Sequence, residues 1–460
     1  MRVLHVIPSL SPKDGGPSFA LPLMARGLAQ AGVQVDIVTT DGQGSGAREQ
    51  GSGARGQGSG AREQESEVRD QRSEIKDQAQ HLEAALTPDP QHLTPSLALT
   101  PDPRPLTPSL PLTPDPQHLT PSLPLSPAPA FFHFRRQVQF YKVSLPMTRW
   151  LSRNVERYDL VHIHALFSYA SGAAAYQAYK HHVPYIVRPL GVLNRWGMAN
   201  RRRWLKNLSF KTIERRILRN AAAIHYTSRQ EQLEAEEAGV TTSPAVIPLG
   251  IDLSEFEHLP DPDLFFSRYP AAAGRKVILF LSRLDAKKGL DLLLPAFAEM
   301  NRADAVLVIA GNGDQAFVDE LRESAARLKI EGRTILTGFL SGQEKLAAFA
   351  AASVFTLPSY SENFGIAAVE ALAAGLPCVI SDQVGITTEV NEFEAGLVVQ
   401  CRVPELAAAL QRMMNEPQLR SRMGANSRRL ASNRFSTQAM TEALVRLYKE
   451  IGEGKTRGEN

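Results

Sequence analysis

Short apolar runs separated by helical patterns recur along this chain, and the series starts over once, at Lys276. In the first series Val3–Ile7, Val35–Thr39, Phe131–Phe134, Leu160–Ile163, Tyr185–Val187, Ala222–His225 and Ala245–Ile247 read as strands. A helix, Ala20–Ala31, follows a Gly-Gly-Pro turn. In the second series Val277–Leu281, Ala305–Ile309, Thr334–Leu336, Val354–Thr356 and Cys378–Ile380 read as strands, with helices such as Leu290–Met300 and Leu346–Ala351 between them. Strands that are apolar throughout belong to parallel sheets covered by helices on both faces. The expected architecture is therefore α/β, with two doubly wound Rossmann-like domains facing a central cleft. Pro248–Phe256 should join them. Ligands in such sheets lie beyond the carboxyl ends of the strands, so the loops there should carry the function.

One stretch does not fit this pattern. Gly44–Gln50, Gly51–Gln57 and Gly58–Gln64 repeat with a period of seven; TPDP starts at Thr87, Thr100 and Thr113, and TPSL at Thr94, Thr107 and Thr120. The glycines and the missing apolar positions exclude a coiled coil. Fourteen of the 31 prolines lie in 41–130, which suits polyproline II or disorder, with partner docking as the other reading. This tract holds 7 basic and 12 acidic residues, so the other 370 residues carry 44 basic against 36 acidic, a net of +8. The domains expected are 1–250 with the insert 41–130, then 251–435, and a C-terminal helix, 436–460, returning toward the first domain.

Composition excludes several classes. The whole chain carries a net charge of only +3, which makes no case for a nucleic-acid binder. Two cysteines, Cys378 and Cys401, rule out a disulfide scaffold and a four-cysteine zinc site. No run approaches the roughly 18 apolar residues of a membrane span, and the opening Met-Arg-Val-Leu-His-Val-Ile-Pro is too short and interrupted for a signal peptide. A cytoplasmic protein is expected.

Four signals carry chemistry. Asp14-Gly15-Gly16-Pro17 follows the first strand and precedes a helix; glycines there let the backbone approach a phosphate at the helix N-terminus, and an ordinary turn reads the same. It is not the Gly-x-Gly-x-x-Gly dinucleotide fingerprint. Arg283 and Lys288, five residues apart after Val277–Leu281, can converge on one diphosphate, where a solvated basic loop is the plainer reading. Ser361-Glu362-Asn363-Phe364-Gly365 precedes the helix Ile366–Ala374, which carries Glu370. A helix-borne carboxylate can accept two ribose hydroxyls, and two exposed glutamates would look no different. His164 ends the strand Leu160–Ile163 and could position a hydroxyl; a core histidine is the commoner fate.

The order of Gly-Gly loop, strand-end His, Arg-x4-Lys and Glu-x7-Glu resembles the retaining glycosyltransferases of family 4, which have the GT-B fold. The resemblance covers nearly all of the chain outside the insert and is most specific over Pro358–Asp382. Ile247–Asp252 resembles the interdomain segment, with Leu249 where Asn is commoner, and Gly311-Asn312-Gly313 resembles a turn beside the donor.

This resemblance implies an enzyme that moves a hexosyl unit from a nucleotide-diphosphate sugar to a hydroxyl acceptor, with retention and without a metal or other cofactor. No Asp-x-Asp metal loop accompanies the motifs. Arg283 and Lys288 would hold the donor diphosphate, and Glu370 the ribose. Glu362 with the Asn363, Phe364 and Gly365 backbone would hold the transferred sugar. Gly15 and Gly16 would approach the diphosphate from across the cleft, and His164 would contact sugar or acceptor. The donor would be UDP- or GDP-linked, and the acceptor a glycan, a lipid-linked glycan or a small molecule of cell-surface polysaccharide synthesis. Arg195–Arg219 holds nine basic residues and one acidic residue among apolar ones, which suggests contact with the inner face of a membrane or a solvated helix face. Two rival readings are a non-catalytic nucleotide-sugar scaffold and a GT-B sugar-nucleotide epimerase, for which no acid and base pair stands out.

Overall fold

The computed structural model describes residues 1–11, 16–40, 128–138, 140–193 and 208–457. The repeat tract up to residue 127, Gly15, and the 195–207 part of the basic stretch lie outside the described residues.

The first sheet has seven strands, β1 (Arg2–Ile7), β2 (Gln34–Thr39), β3 (Ala130–His133), β4 (Leu160–His164), β5 (Tyr185–Arg188), β6 (Ala223–Tyr226) and β7 (Pro244–Val246). Their spatial order is β3-β2-β1-β4-β5-β6-β7, and every pairing is parallel. Because β3 begins at Ala130, the expected boundary of the insert at that residue is one position too late. The second sheet has six strands, β8 (Lys276–Leu281), β9 (Ala305–Ala310), β10 (Thr334–Gly338), β11 (Ala352–Leu357), β12 (Cys378–Ser381) and β13 (Gly396–Val399). Their order is β10-β9-β8-β11-β12-β13, again all parallel. Both sheets fall in one compact unit, and together they form the GT-B architecture.

Burial on both faces explains the apolar runs: all six residues of β9 are buried, as are four of six in β8. The edge strand β13 has no counterpart in the sequence reading. It is four residues long and starts at Gly396, where a Cβ would come within 2.0 Å of the Cys378 carbonyl oxygen, so only glycine admits this approach.

Strand order reverses between β1 and β4 in the first sheet and between β8 and β11 in the second. Such reversals open a crevice at the carboxyl ends of the two central strands. The chain crosses between the halves twice, and the two crossings are bonded together. The Ile251 amide donates to the Phe435 carbonyl at 2.8 Å, and the Thr437 amide to the Ile251 carbonyl at 3.1 Å. Gly250 is required there, since a Cβ would meet the Ser436–Thr437 backbone at 2.7–2.9 Å. The helix Thr437–Arg457 then runs back over the first sheet. Its Met440, Leu444 and Tyr448 share a core with Leu21, Met24 and Leu28 of the helix Gly16–Gln30.

Candidate active site

All four sequence signals lie at the two reversals of strand order. Gly16 opens the helix that follows β1, His164 ends β4, Arg283 and Lys288 follow β8, and Glu362–Gly365 follow β11.

After β8 the chain turns through Ala286–Lys288, where the Asp285 carboxylate caps the turn by accepting from the Lys287 amide at 3.0 Å. Gly289 ends it in the left-handed region, φ 71°, with the Pro358 carbonyl so close that a Cβ would lie 1.9 Å from its oxygen. The Tyr360 amide donates to the Lys287 carbonyl at 2.8 Å, which ties the β8 loop to the β11 loop. This geometry presents Lys288, 6% exposed, to the Glu362 carboxylate, with which it forms an ion pair. Burial and the neighbouring Lys288 charge lower the pKa of Lys287, and Glu362 and Arg283 also act on it, so these groups share one electrostatic environment. Arg283 itself is exposed. The Gly311–Gly313 turn packs under the same loop: the Leu284 amide donates to the Asn312 carbonyl at 2.8 Å, and a Cβ on Gly311 would lie 1.8 Å from the Ser282 carbonyl oxygen.

Gly365, φ 91°, starts the helix Ile366–Ala373. Among the described residues none accepts a hydrogen bond from the amides of Asn363, Phe364 or Gly365. With the positive end of the helix dipole, they suit an anionic oxygen. The Phe364 side chain turns into the core, edge-on to Phe435 at 5.6 Å, so only its backbone faces the site. Glu370 is not free. Its Oε1 accepts from Lys345 Nζ at 2.8 Å, a residue of the helix Gly342–Ala351 that the sequence reading did not single out.

The first half meets this loop directly. Asn363 Nδ2 donates to Thr227 Oγ1 at 2.9 Å, and Ser228 Oγ donates to the Asn363 carbonyl at 3.2 Å. Gly191 passes so near that a Cβ would lie 2.6 Å from the Asn363 side chain. Gly16 faces the first residue of the helix after Gly365, 3.2 Å from Ile366 Cδ1 to its ideal Cβ position. A narrow crevice remains, lined by Gln230, Glu231, Glu234, Ser361, Glu362, Asn363 and Gln383.

His164 is fully buried, within a layer the sequence reading did not foresee. His5, His162, His164 and His225 are all 0% exposed, and Arg188 beside them is 2% exposed. Their hydrogen bonds have one direction. His225 Nε2 must donate to the Ile247 carbonyl (2.9 Å), so its Nδ1 accepts from His162 Nε2 (3.2 Å), and His162 Nδ1 accepts from the Tyr448 hydroxyl (2.8 Å). His5 Nδ1 and His164 Nε2 share one proton at 2.9 Å, while His5 Nε2 and His164 Nδ1 have no partner among the described residues. Burial, reinforced by the Arg188 charge, lowers the pKa of His5 and of His225 to about 3, and those of His162 and His164 fall well below the ordinary value. The imidazoles are therefore neutral. His5, His162 and His164 hold nitrogens within 4.8 Å of one another, but both His162 nitrogens are occupied and a guanidinium lies alongside, which makes the group a poor cation site. The backbone just beyond β4 and β5 is left-handed at Ala165 (φ 80°), Phe167 (φ 55°) and Leu190 (φ 63°), strain of the kind that gathers at functional sites.

Two family profiles match, "Glycosyl transferase 4-like domain" over 93–250 and "Glycosyl transferases group 1" over 263–430. The chain belongs to the group 1 glycosyltransferases of the family 4 type. It is 32% identical to the D-inositol 3-phosphate glycosyltransferase of Corynebacterium jeikeium over 55% of this chain and 62% of that protein. It is 31% identical to the alpha-D-kanosaminyltransferase of Streptomyces kanamyceticus over 39% of this chain and 46% of that one. This family 4 chain thus spans about half the length of the curated relatives it matches. Its fold is shared with Anabaena HepE, solved with UDP and glucose, at a TM-score of 0.66 and 17% identity, over 98% of this chain and 99% of that one. No helix among the described residues is long and apolar enough to cross a membrane.

Proposed function

We propose that this family 4 chain transfers a hexosyl unit from a UDP- or GDP-linked sugar to a hydroxyl acceptor, with retention and without a metal. The observation that carries the reading is the convergence of Arg283, Lys288, Glu362 and the Asn363–Gly365 amides at the β8/β11 reversal, opposite Gly16. Arg283 and Lys288 bind the diphosphate and stabilise the charge on the departing phosphate oxygen. Donor entry requires Lys288 to exchange Glu362 for phosphate, which frees the Glu362 carboxylate to accept sugar hydroxyls. Glu370, oriented by Lys345, accepts from the ribose hydroxyls.

In the step itself the acceptor oxygen forms a bond to the anomeric carbon on the face the phosphate oxygen leaves. The anomeric C–O bond breaks, and the departing phosphate takes the acceptor proton. Arg283 and Lys288 fill the electrostatic role that a cation plays elsewhere. The contacts of Asn363 with Thr227 and Ser228 close the crevice and exclude water, which limits donor hydrolysis. Relatives named as glycosyltransferases support the reaction class.

The acceptor is a glycan, a lipid-linked glycan or a small molecule. Leu208 and Ile213 are exposed next to Lys211, Arg215, Arg216 and Arg219, while Phe210, Ile217 and Leu218 turn inward, so only part of the basic stretch offers an apolar face. That face supports peripheral contact with an anionic membrane; flotation with anionic vesicles that does not respond to salt would remove it.

The test is release of nucleoside diphosphate from UDP-, GDP- and ADP-sugars, beside Glu370→Ala. Release with one nucleotide class, lost in the variant, supports the assignment. Equal release by the variant overturns the role of Glu370, and no binding to any donor overturns the reading.

A further inference from the structure

The least explained charge in the molecule is Arg188. It is the last residue of β5 and lies directly across from His164 in the strand register. The residue is 2% exposed, yet among the described residues Nε and Nη1 have no hydrogen-bond partner. Nε carries one N–H and Nη1 two, so three of the five guanidinium donors are unspent. A buried cation left this way is costly unless something anionic completes it.

Among the described residues nothing does so. Glu231 is, among the described residues, the one carboxylate acting on Arg188, and both of its oxygens are engaged. Oε1 accepts from the Gly191 amide at 2.6 Å, and Oε2 from the Thr227 amide and hydroxyl at 2.7 and 2.8 Å. The surrounding His5, His162, His164 and His225 are neutral, and the Tyr448 hydroxyl is committed to His162. The unpartnered Nδ1 of His164 adds a further polar edge. Arg188 and His164 stand at the carboxyl ends of β5 and β4, beside the β1/β4 reversal, and Glu231 lines the crevice. The donor diphosphate already has Arg283 and Lys288 in the other half.

We propose that Arg188, together with the Nδ1 edge of His164, is a subsite for an anionic group on the acceptor, a phosphate monoester or a carboxylate. This rests on the reading of the crevice as a transferase site, and it narrows the acceptor to an acidic or phosphorylated one. The bound anion would take up the spare guanidinium donors and bring an acceptor hydroxyl to the crevice.

The test uses the full chain, with and without saturating UDP, titrated with inorganic phosphate and separately with glucuronate, and read by melting temperature and by phosphorus NMR line width. One of the two anions should bind saturably and equally well with UDP present, and which one does so separates phosphate from carboxylate. Arg188→Met should weaken that binding tenfold or more while melting no lower than the parent in anion-free buffer, because a buried unpaired charge has been removed. Lys288→Ala should lose UDP and keep the anion. Should Arg188→Met not fold, Arg188→Lys, which keeps the charge without the fork, and His164→Asn should each weaken binding several-fold. The proposal is overturned if neither anion binds, if binding is unchanged in these variants, or if UDP displaces the anion and Lys288→Ala abolishes it. Absence of UDP binding alone would instead strike the donor reading, since the anion titration without UDP reads Arg188 independently.

Discussion

The carboxyl ends of the two sheets handle charge in opposite ways. Beyond the second sheet Lys288 is paired with Glu362 and Glu370 with Lys345, and Arg283 is exposed. Each pair keeps some contact with water, with side chains 7–21% exposed. Beyond the first sheet the cation is buried, four imidazoles around it are neutral, and the nearest carboxylate is spent on amides and a hydroxyl. A partly solvated pair can exchange one partner for a ligand at small cost, because one favourable contact replaces another. A buried unpaired cation has no partner to give up, and its environment is complete only when an anion enters. One half is a site that trades contacts; the other waits for one.

Acid should separate the halves most strongly. The folded pKa values of His5 and His225, about 3, lie below that of a histidine in the unfolded chain, about 6.5. Between these values the unfolded chain binds more protons, so stability is complete above pH 6.5 and is lost as pH falls. Each such histidine contributes a slope of about 1.4 kcal/mol per pH unit. His162 and His164 add to it in the same direction. Urea midpoints at pH 7 and pH 5 check this, and His225→Gln should reduce the slope by about one proton. A stability flat across that range would mean that the layer is hydrated and charged.

Lys288→Ala should have the next largest effect. Removing a donor aimed at developing charge costs roughly 100- to 1000-fold in turnover. The variant also leaves Glu362 without its partner, and the added negative charge further opposes a diphosphate. Near-normal product formation would show that Arg283 alone carries the phosphate.

Much of this second-half site can be read from the sequence because its parts are local. Arg283 and Lys288 share one loop, Glu362–Gly365 run directly into the helix bearing Glu370, and the apolar runs of β8 and β11 mark the strands that precede them. The first-half layer could not be read in this way. Tyr448 reaches His162 across 286 positions, and Arg188 meets His164 only through strand pairing. Lys345 lies 25 positions from Glu370, on a separate helix. Glu231 did leave a signal, since Ser228-Arg229-Gln230-Glu231 has the spacing of a capping box and Ser228 Oγ accepts from the Glu231 amide at 3.1 Å. The carboxylate, however, turns to Thr227, one residue before the cap, and to Gly191, which only the fold brings near. His162 and His164 share a face by strand alternation, yet His162 is also covered by Tyr448 of the returning helix Thr437–Arg457.

Gly289→Ala tests how rigidly Lys288 is presented. The left-handed backbone alone costs a non-glycine residue roughly 1–3 kcal/mol, and the methyl group would also strike the Pro358 carbonyl. The folded variant should be less stable by at least that amount. Its donor KM should rise more than that of a surface variant of equal stability, because the turn and the β11 loop would move apart. Equal donor KM in the two would separate the turn from binding.

Lys345→Met is the smallest and most discriminating change. It keeps the length of the side chain and removes the charge that holds the Glu370 carboxylate, a partly exposed pair of the kind worth about 0–1 kcal/mol. Stability should therefore change little. If Lys345 only neutralises Glu370, donor KM should change little as well. If it aims the carboxylate at the ribose, KM should rise several-fold with kcat nearly unchanged, and discrimination against a 2′-deoxy donor should weaken in proportion. The second outcome would extend the contact-trading site by one residue, because Lys345 would then orient a ligand group without touching the diphosphate. The first would confine that site to Arg283, Lys288 and Glu362, and leave the Glu370–Lys345 pair as packing at its edge.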